Sequence, residues 1–287
     1  MKQINYFFQF IIIKLFFFIF KIIGYKKASN LGAMIGSTFG PIFKSKKIIQ
    51  KNIKNYSPNI DQKLLMKITK NMWKNYGRIF AEYMFIKDFR LEKLNNHLKL
   101  NGVEYLNEIK KSNKPAVFVS GHFNNFELMA MQIEKFGVNL AAVYRPLNNI
   151  FLNKTMEEIR KKYICKNQIK KGFAGLREII TLVKNNISIA IMIDQRVTEG
   201  VKSNLFNKPA FTTSIPAQLI KKFGCPLVSI YIERKNNIDF EITVNKPIYF
   251  NESDNLESIT QNLNLWLEKM ISKNPDQWIW SHNRWKL

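Results

Sequence analysis

The chain has 287 residues and carries 45 Lys and Arg against 21 Asp and Glu, a formal charge of +24. That length buries a full core as one domain of the larger sort, and the charge points to anionic partners: lipid headgroups, phosphorylated substrates, acidic proteins or nucleic acid. The two cysteines, Cys165 and Cys225, exclude a disulfide framework and read as reduced, small core residues.

The segment from Ile4 to Ile23 is rich in Phe and Ile and about long enough to cross a bilayer. Lys14 and Lys21 interrupt it on one helix face, which predicts a membrane-seated helix with a basic stripe at the headgroups. No small-x-small cleavage site follows it, and the Lys-rich stretch beyond favours the cytoplasmic side. We therefore expect an anchor over residues 1–27 and one domain over 28–287. Gly32, Gly36 and Gly40 then recur every four residues, either as a close helix-packing face or as a flexible loop, with Pro41 limiting the helix. From Lys44 to Lys74 only Asp61 opposes the lysines, and one or two basic amphipathic helices are expected.

Strands and helices alternate thereafter. Strands are predicted over 115–120, 140–144, 188–193, 226–232 and 240–244. Helices are predicted over 126–136, 152–162, 175–185, 215–223 and 256–272. The alternation predicts an α/β fold, a single domain with a mixed, largely parallel sheet flanked by helices.

Three polar residues fall at strand ends, where sites assemble in such sheets: His122, Arg145 and Asp194. A His with a carboxylate close by is suited to general-base work, because the acid fixes one tautomer and stabilises the imidazolium. Five helical steps turn roughly 500°, so His122 and Glu127 meet only if His122 sits in the turn and Glu127 in the first helical turn. A competing reading makes Asn124 and Glu127 a capping box and His122 a loop residue. Arg145, on the rigid Tyr144-Arg145-Pro146 turn, suits a phosphate or an oxyanion; otherwise it would pair with Glu127 or Asp194. His97, His122 and His282 lack zinc spacing. No G-x-S-x-G elbow, phosphate-binding Gly-rich loop or dinucleotide fingerprint is present. Base catalysis without metal, cofactor or covalent intermediate is what remains.

Four blocks in order resemble the late acyltransferases of lipid A biosynthesis, of the LpxL/HtrB type. The first is Gly121-His122-Phe123-Asn124-Asn125-Phe126-Glu127, and the second Tyr144-Arg145-Pro146 with Asn149. The third runs from Asp194-Gln195-Arg196 through Gly200-Val201, Phe206, Pro209-Ala210 and Thr212-Thr213 to Pro216-Ala217. The last is Pro275 to Lys286. Phe126 stands for a usual Trp, Ile150 for a frequent Pro, Asn207 for a usual Gly and Asn283 for a frequent Arg.

The resemblance implies a glycerolipid-acyltransferase-like fold and transfer of a fatty acyl group from acyl carrier protein to a hydroxyl of a Kdo-bearing lipid A precursor. The body would face the cytoplasm at the inner membrane. His122 would be the base, Glu127 its orienting acid, and Arg145 the oxyanion donor, with backbone N–H groups near Asn124 and Asn125 as alternatives. Asn125, Asn149, Arg160, Asp194, Gln195, Arg196 and Thr213 would bind substrate, Asp194 and Thr213 shaping the site rather than reacting. Trp278, Trp280 and Trp285 would lie at the membrane interface or pack on the body. A glycerophospholipid enzyme would more typically show Asn-His-x4-Asp. A non-catalytic basic membrane protein is a further alternative, and no nucleic-acid-binding motif supports that partner.

Overall fold

The computed structural model describes residues 2–286. Two helices open it, α1 (Lys2–Ile23) and α2 (Tyr25–Phe43), broken at Gly24, where φ is 79°. Next come α3 (Lys46–Tyr56) and α4 (Gln62–Glu82), whose first turn is capped by Asp61 accepting the Leu64 N–H at 2.8 Å. The glycine repeat is a packing face: a Cβ at Gly32 would stand 2.3 Å from the Gly77 carbonyl oxygen of α4, and one at Gly36 2.3 Å from that of Trp73. Helix α2 runs two residues past Pro41 before ending.

Short helix α5 (Ile86–Arg90) leads to edge strand β1 (Leu98–Asn101) and helix α6 (Val103–Ser112). The alternation follows as β2 (Val117–Ser120), α7 (Glu127–Lys135), β3 (Leu140–Tyr144), α8 (Ile150–Tyr163), β4 (Asn167–Lys170), α9 (Phe173–Lys184) and β5 (Ser188–Met192). A hairpin, β6 (Val201–Leu205) and β7 (Lys208–Thr212), precedes α10 (Ile215–Phe223), β8 (Leu227–Lys235), β9 (Asp239–Val244) and α11 (Leu256–Lys273). The hairpin turns on Phe206 and Asn207, both at positive φ, 52° and 56°. A two-residue turn of this kind needs that geometry, which Asn tolerates nearly as well as Gly.

Seven strands form one sheet in the order β1-β9-β8-β2-β5-β3-β4, parallel throughout except for the β8–β9 pair. The expected α/β class with a mixed, largely parallel sheet is the observed one. All four residues of β2 are buried, as suits a strand with neighbours on both edges and helices on both faces.

Helix α1 lies along this body. Its inner positions Tyr6, Phe10, Ile13, Phe17 and Phe20 recur at helical spacing and are buried or half-buried, whereas Ile4, Phe8, Ile11, Leu15, Phe18 and Ile22 are exposed. Contacts run from one end to the other: Phe7 and Phe10 meet Phe151 of α8, Phe17 meets Phe80 of α4, and Lys21 pairs with Asp88 at 2.5 Å. Lys21 thus reaches the body while its side chain stays half-exposed. At the other end of the chain, Trp278, Trp280 and Trp285 are 2%, 0% and 7% exposed. They pack in the core, so the membrane-interface alternative for them falls away.

Candidate active site

The register of the central strands builds the site. Ser120 of β2 lies opposite Met192 of β5 in a parallel pair. Two residues further along each chain, His122 and Asp194 therefore emerge side by side from the carboxyl edge of the sheet. The His122 imidazole Nδ1 lies 2.7 Å from Asp194 Oδ1, and its backbone N–H donates to Asp194 Oδ2 at 2.7 Å. Trp278 Nε1 donates to the same Oδ2 at 2.9 Å. Gly121 makes the approach possible: a Cβ there would stand 2.8 Å from the Phe123 ring and 3.3 Å from Asp194 Oδ2.

Asp194 is fully buried, and its three donors stabilise the ionised form. Burial pushes its pKa up, but the charge and hydrogen bonds of His122 more than reverse this, leaving it below the usual carboxylate range. Burial lowers the His122 pKa, and the Asp194 carboxylate outweighs that, so the imidazole is a stronger base than a free histidine. With Nδ1 engaged, Nε2 is the nitrogen that faces the cavity, with Gln195 Nε2 3.5 Å from it; the ring packs edge-on against Phe126.

This corrects the expected pairing. Glu127 does not hold the His122 ring. It opens α7 and accepts two hydrogen bonds on Oε1 from Arg160 of α8, from Nε at 2.8 Å and Nη2 at 2.6 Å. Burial lowers the Arg160 pKa, and Glu127 more than restores it, so the pair is a buried ion pair beside the imidazole. No capping box forms either: Asn124 is at a φ of 44°, and its amide donates to the Ile232 carbonyl and to Gln277 Oε1.

A cavity of about 820 Å³ opens over His122. One face of the sheet gives much of its floor, Phe118 and Ser120 of β2, Ala142 and Tyr144 of β3, and Ala190 and Met192 of β5, with Met129 and Ile133 of α7 at one side. The cavity also wraps the carboxyl edge to reach Val119, Val143 and Ile191 of the other face. Alternate residues of a strand share a face, and the adjacent alanines at 142 and 190 leave the apolar volume open. Toward solvent the lining turns cationic. Arg145 is exposed on the turn after β3 and pairs with neither Glu127 nor Asp194, and Lys171 lies close enough to repel it: burial first, then Arg145, lowers the Lys171 pKa.

Of the remaining residues expected at the site, Gln195 and Thr213 line the cavity, as do Arg160 and Glu127. Asn149 does not face it: its Oδ1 caps α8 by accepting the Phe151 and Leu152 N–H groups, and its Nδ2 donates to the Tyr6 carbonyl of α1 at 2.8 Å. Arg196 points away, its Nε donating to the Lys286 carbonyl, and Asn125 is fully buried beneath the lining. Three cavity or support residues went unforeseen: Lys171, His282 and Trp278. His282 Nε2 accepts the Arg196 N–H at 2.9 Å, and burial drops its pKa to about 4, so it lines the cavity as a neutral ring. Among the described residues no group of His, Cys, Asp and Glu is arranged to hold a metal ion.

Residues 1–287 match the family described as bacterial lipid A biosynthesis acyltransferase. The lipid A biosynthesis palmitoleoyltransferase of Escherichia coli K12 is 23% identical over 267 residues, 89% of this chain and 84% of that one. Lipid A biosynthesis acyltransferase 2 of Shigella flexneri is 22% identical over 194 residues, 66% of this chain and 61% of the relative, so the match spans less than two thirds of that protein. Among solved structures, the 1-acyl-sn-glycerophosphate acyltransferase PlsC of Thermotoga maritima aligns over 96% of this chain and 99% of its own at 12% identity and a TM-score of 0.43, too distant to carry residue roles. With a match over its whole length, the chain belongs to the bacterial lipid A biosynthesis acyltransferases.

Proposed function

We propose that the protein transfers a fatty acyl group from acyl carrier protein to a hydroxyl of a Kdo-bearing, phosphorylated lipid A precursor, with its body on the cytoplasmic side of the inner membrane. The observation that carries this reading is the position of His122 Nε2, between an apolar chamber and a cationic rim. The acyl chain would occupy the chamber over Ala142 and Ala190. Phosphates of the acceptor would meet Arg145 and Lys171.

His122 would then take the proton from the acceptor hydroxyl as the oxygen attacks the thioester carbonyl. Asp194 holds the imidazole in the tautomer that leaves Nε2 free and stabilises the imidazolium that forms. The tetrahedral intermediate collapses with loss of the carrier's thiolate, to which the imidazolium returns the proton. The Glu127–Arg160 pair flanks the ring and offers the Arg160 guanidinium to the oxyanion, while Arg145 meets the acceptor's phosphates. The exposed apolar face of α1 supports seating in the lipid surface, because its inner face lies on the body along its whole length.

The direct test is product mass. Membranes carrying the protein are incubated with acyl-carrier-protein thioesters and a Kdo-linked lipid A precursor, beside a His122→Ala variant. One added acyl group, lost in the variant, is the expected result. Acylation of a simpler lipid alone would move the reading to a phospholipid or other glycolipid acceptor. No acylation of any lipid would put a non-catalytic, membrane-binding role in its place.

A further inference from the structure

Helices α2 and α4 bound a second cavity of about 690 Å³ that shares no lining residue with the first. Asn30, Met34 and Ser37 of α2 form one wall and Lys70, Lys74 and Arg78 of α4 the other. The β8–β9 turn and the short turn at Asp276 and Gln277 close it.

Its charge is unbalanced. Four cations line it, Lys70, Lys74, Arg78 and Arg234, against one carboxylate, Asp276. Glu82 lies behind the wall, but both of its oxygens are taken by Arg234, at 2.5 and 3.0 Å. Arg78 is 8% exposed and, among the described residues, has no carboxylate in ion-pair range; its Nη1 donates only to Ser29 Oγ and Asn30 Oδ1, at 3.0 and 2.9 Å. Ser29 in turn donates to Glu82 at 2.7 Å, so one carboxylate serves two guanidiniums. Burial first, then the neighbouring Arg234, lowers the Arg78 pKa, and Glu82 offsets this only in part. A nearly buried cation that shares one carboxylate with a second guanidinium is under-compensated, and an anion entering the cavity would relieve it.

We propose that this second cavity binds a phosphate group, held by the Arg78 guanidinium with Lys74 and Lys70 at the rim. The planar fork of Arg suits the oxygens of a phosphate, and flexible lysines supply further charge. The amides of Asn30 and Asn236, both exposed at the mouth, offer further donors. The phosphate comes either from a soluble phosphate ester or from a phospholipid headgroup. Met34 at the mouth is 60% exposed, and α2 continues round to exposed Ile42, Phe39 and Phe43, an apolar border suited to acyl chains. The site also reaches the catalytic loop: Arg234 N–H and the Asn124 amide share Gln277 Oε1, at 2.9 and 2.7 Å, two residues from His122.

The test uses the full chain in maltoside micelles, which contain no phosphorus. Phosphorus-31 line broadening is followed with inorganic phosphate and glycerol 3-phosphate in one arm, and with phosphatidate doped into the micelles in the other. Wild type should broaden the signal in at least one arm. The comparison is made in an Arg145→Gln/Lys171→Gln background, which removes the phosphate contacts of the first cavity; there Arg78→Gln and Lys74→Gln should each weaken binding about tenfold or more. Broadening by the soluble probes identifies a free phosphate site, and broadening by phosphatidate alone identifies a headgroup site. No broadening in either arm, or binding that survives both α4 substitutions, overturns the proposal. Should Arg78→Gln perturb the fold by circular dichroism, the half-exposed Lys74 decides the matter alone.

Discussion

Asp194→Asn is the substitution whose outcome the geometry fixes most tightly. Asp194 Oδ2 accepts two N–H donors, the His122 backbone and the Trp278 indole, whereas Oδ1 meets only the His122 ring. An asparagine must therefore place its carbonyl oxygen toward the two donors and turn its NH2 toward Nδ1. Nδ1 then becomes an acceptor, the proton moves to Nε2, and the nitrogen facing the cavity can no longer accept one. Wrong-tautomer histidines of this kind lose about 10,000-fold in turnover, or about 5.4 kcal/mol of barrier. The pH dependence should move as well. In the proposed mechanism His122 works as a neutral base, so activity should rise with pH through its pKa, which Asp194 holds above the ordinary histidine value. Losing the carboxylate shifts the residual profile to lower pH. The assay is acyl transfer between pH 5 and 9, with nitrogen-15 spectra of the histidines to read the tautomer. Asp194→Asn activity within tenfold of wild type, or a ring that keeps its proton on Nδ1, would refute the argument. So would a profile that shifts more for Glu127→Gln than for Asp194→Asn.

Other expectations follow from the same site. Ala190→Leu should fill part of the apolar chamber and move donor preference to chains shorter by about two methylenes, at about 0.8 kcal/mol each, in competition assays with mixed acyl-carrier thioesters. Arg145→Gln with Lys171→Gln should raise the acceptor KM by about tenfold or more and leave the donor KM little changed, as kinetics with each substrate varied in turn would report. Replacing Phe8, Ile11, Leu15 and Phe18 with Ser should release the protein from vesicles in flotation, while its thermal midpoint stays close to wild type because those side chains are exposed.

The strand ends were legible in the sequence because a buried apolar run followed by Gly-His, or by Asp, marks where a sheet stops. That His122, Arg145 and Asp194 share one edge follows from this reading and is what the fold displays. The partner of His122 was not legible. Glu127 is five residues away in the chain and Asp194 seventy-two, and only the opposition of Ser120 and Met192 across two strands makes the distant carboxylate the near one. Strands β1 and β4 escaped notice because edge strands carry few apolar residues, as in Asn167-Gln168-Ile169-Lys170. The β6–β7 hairpin was hidden by Pro209 and by a turn of Phe and Asn. Asn149 shows the limit of motif reading: its position in the block that resembles the family invites a substrate role, whereas its side chain joins two helices.

That junction has a kinetic consequence. Asn149 fixes the start of α8 and the first turns of α1 to one another, a few residues from Arg145 and beside exposed Leu147 and Ile150. On the proposed seating of α1 in the lipid surface, this fastening would keep the rim of the site at a set height above the lipid plane. An acceptor lipid would then arrive by lateral diffusion, and its saturation should follow mole fraction in the surface. The proposed carrier-bound donor would arrive from water and should follow bulk concentration. Adding inert lipid at constant total acceptor should therefore slow the reaction, and adding buffer at constant donor concentration should not.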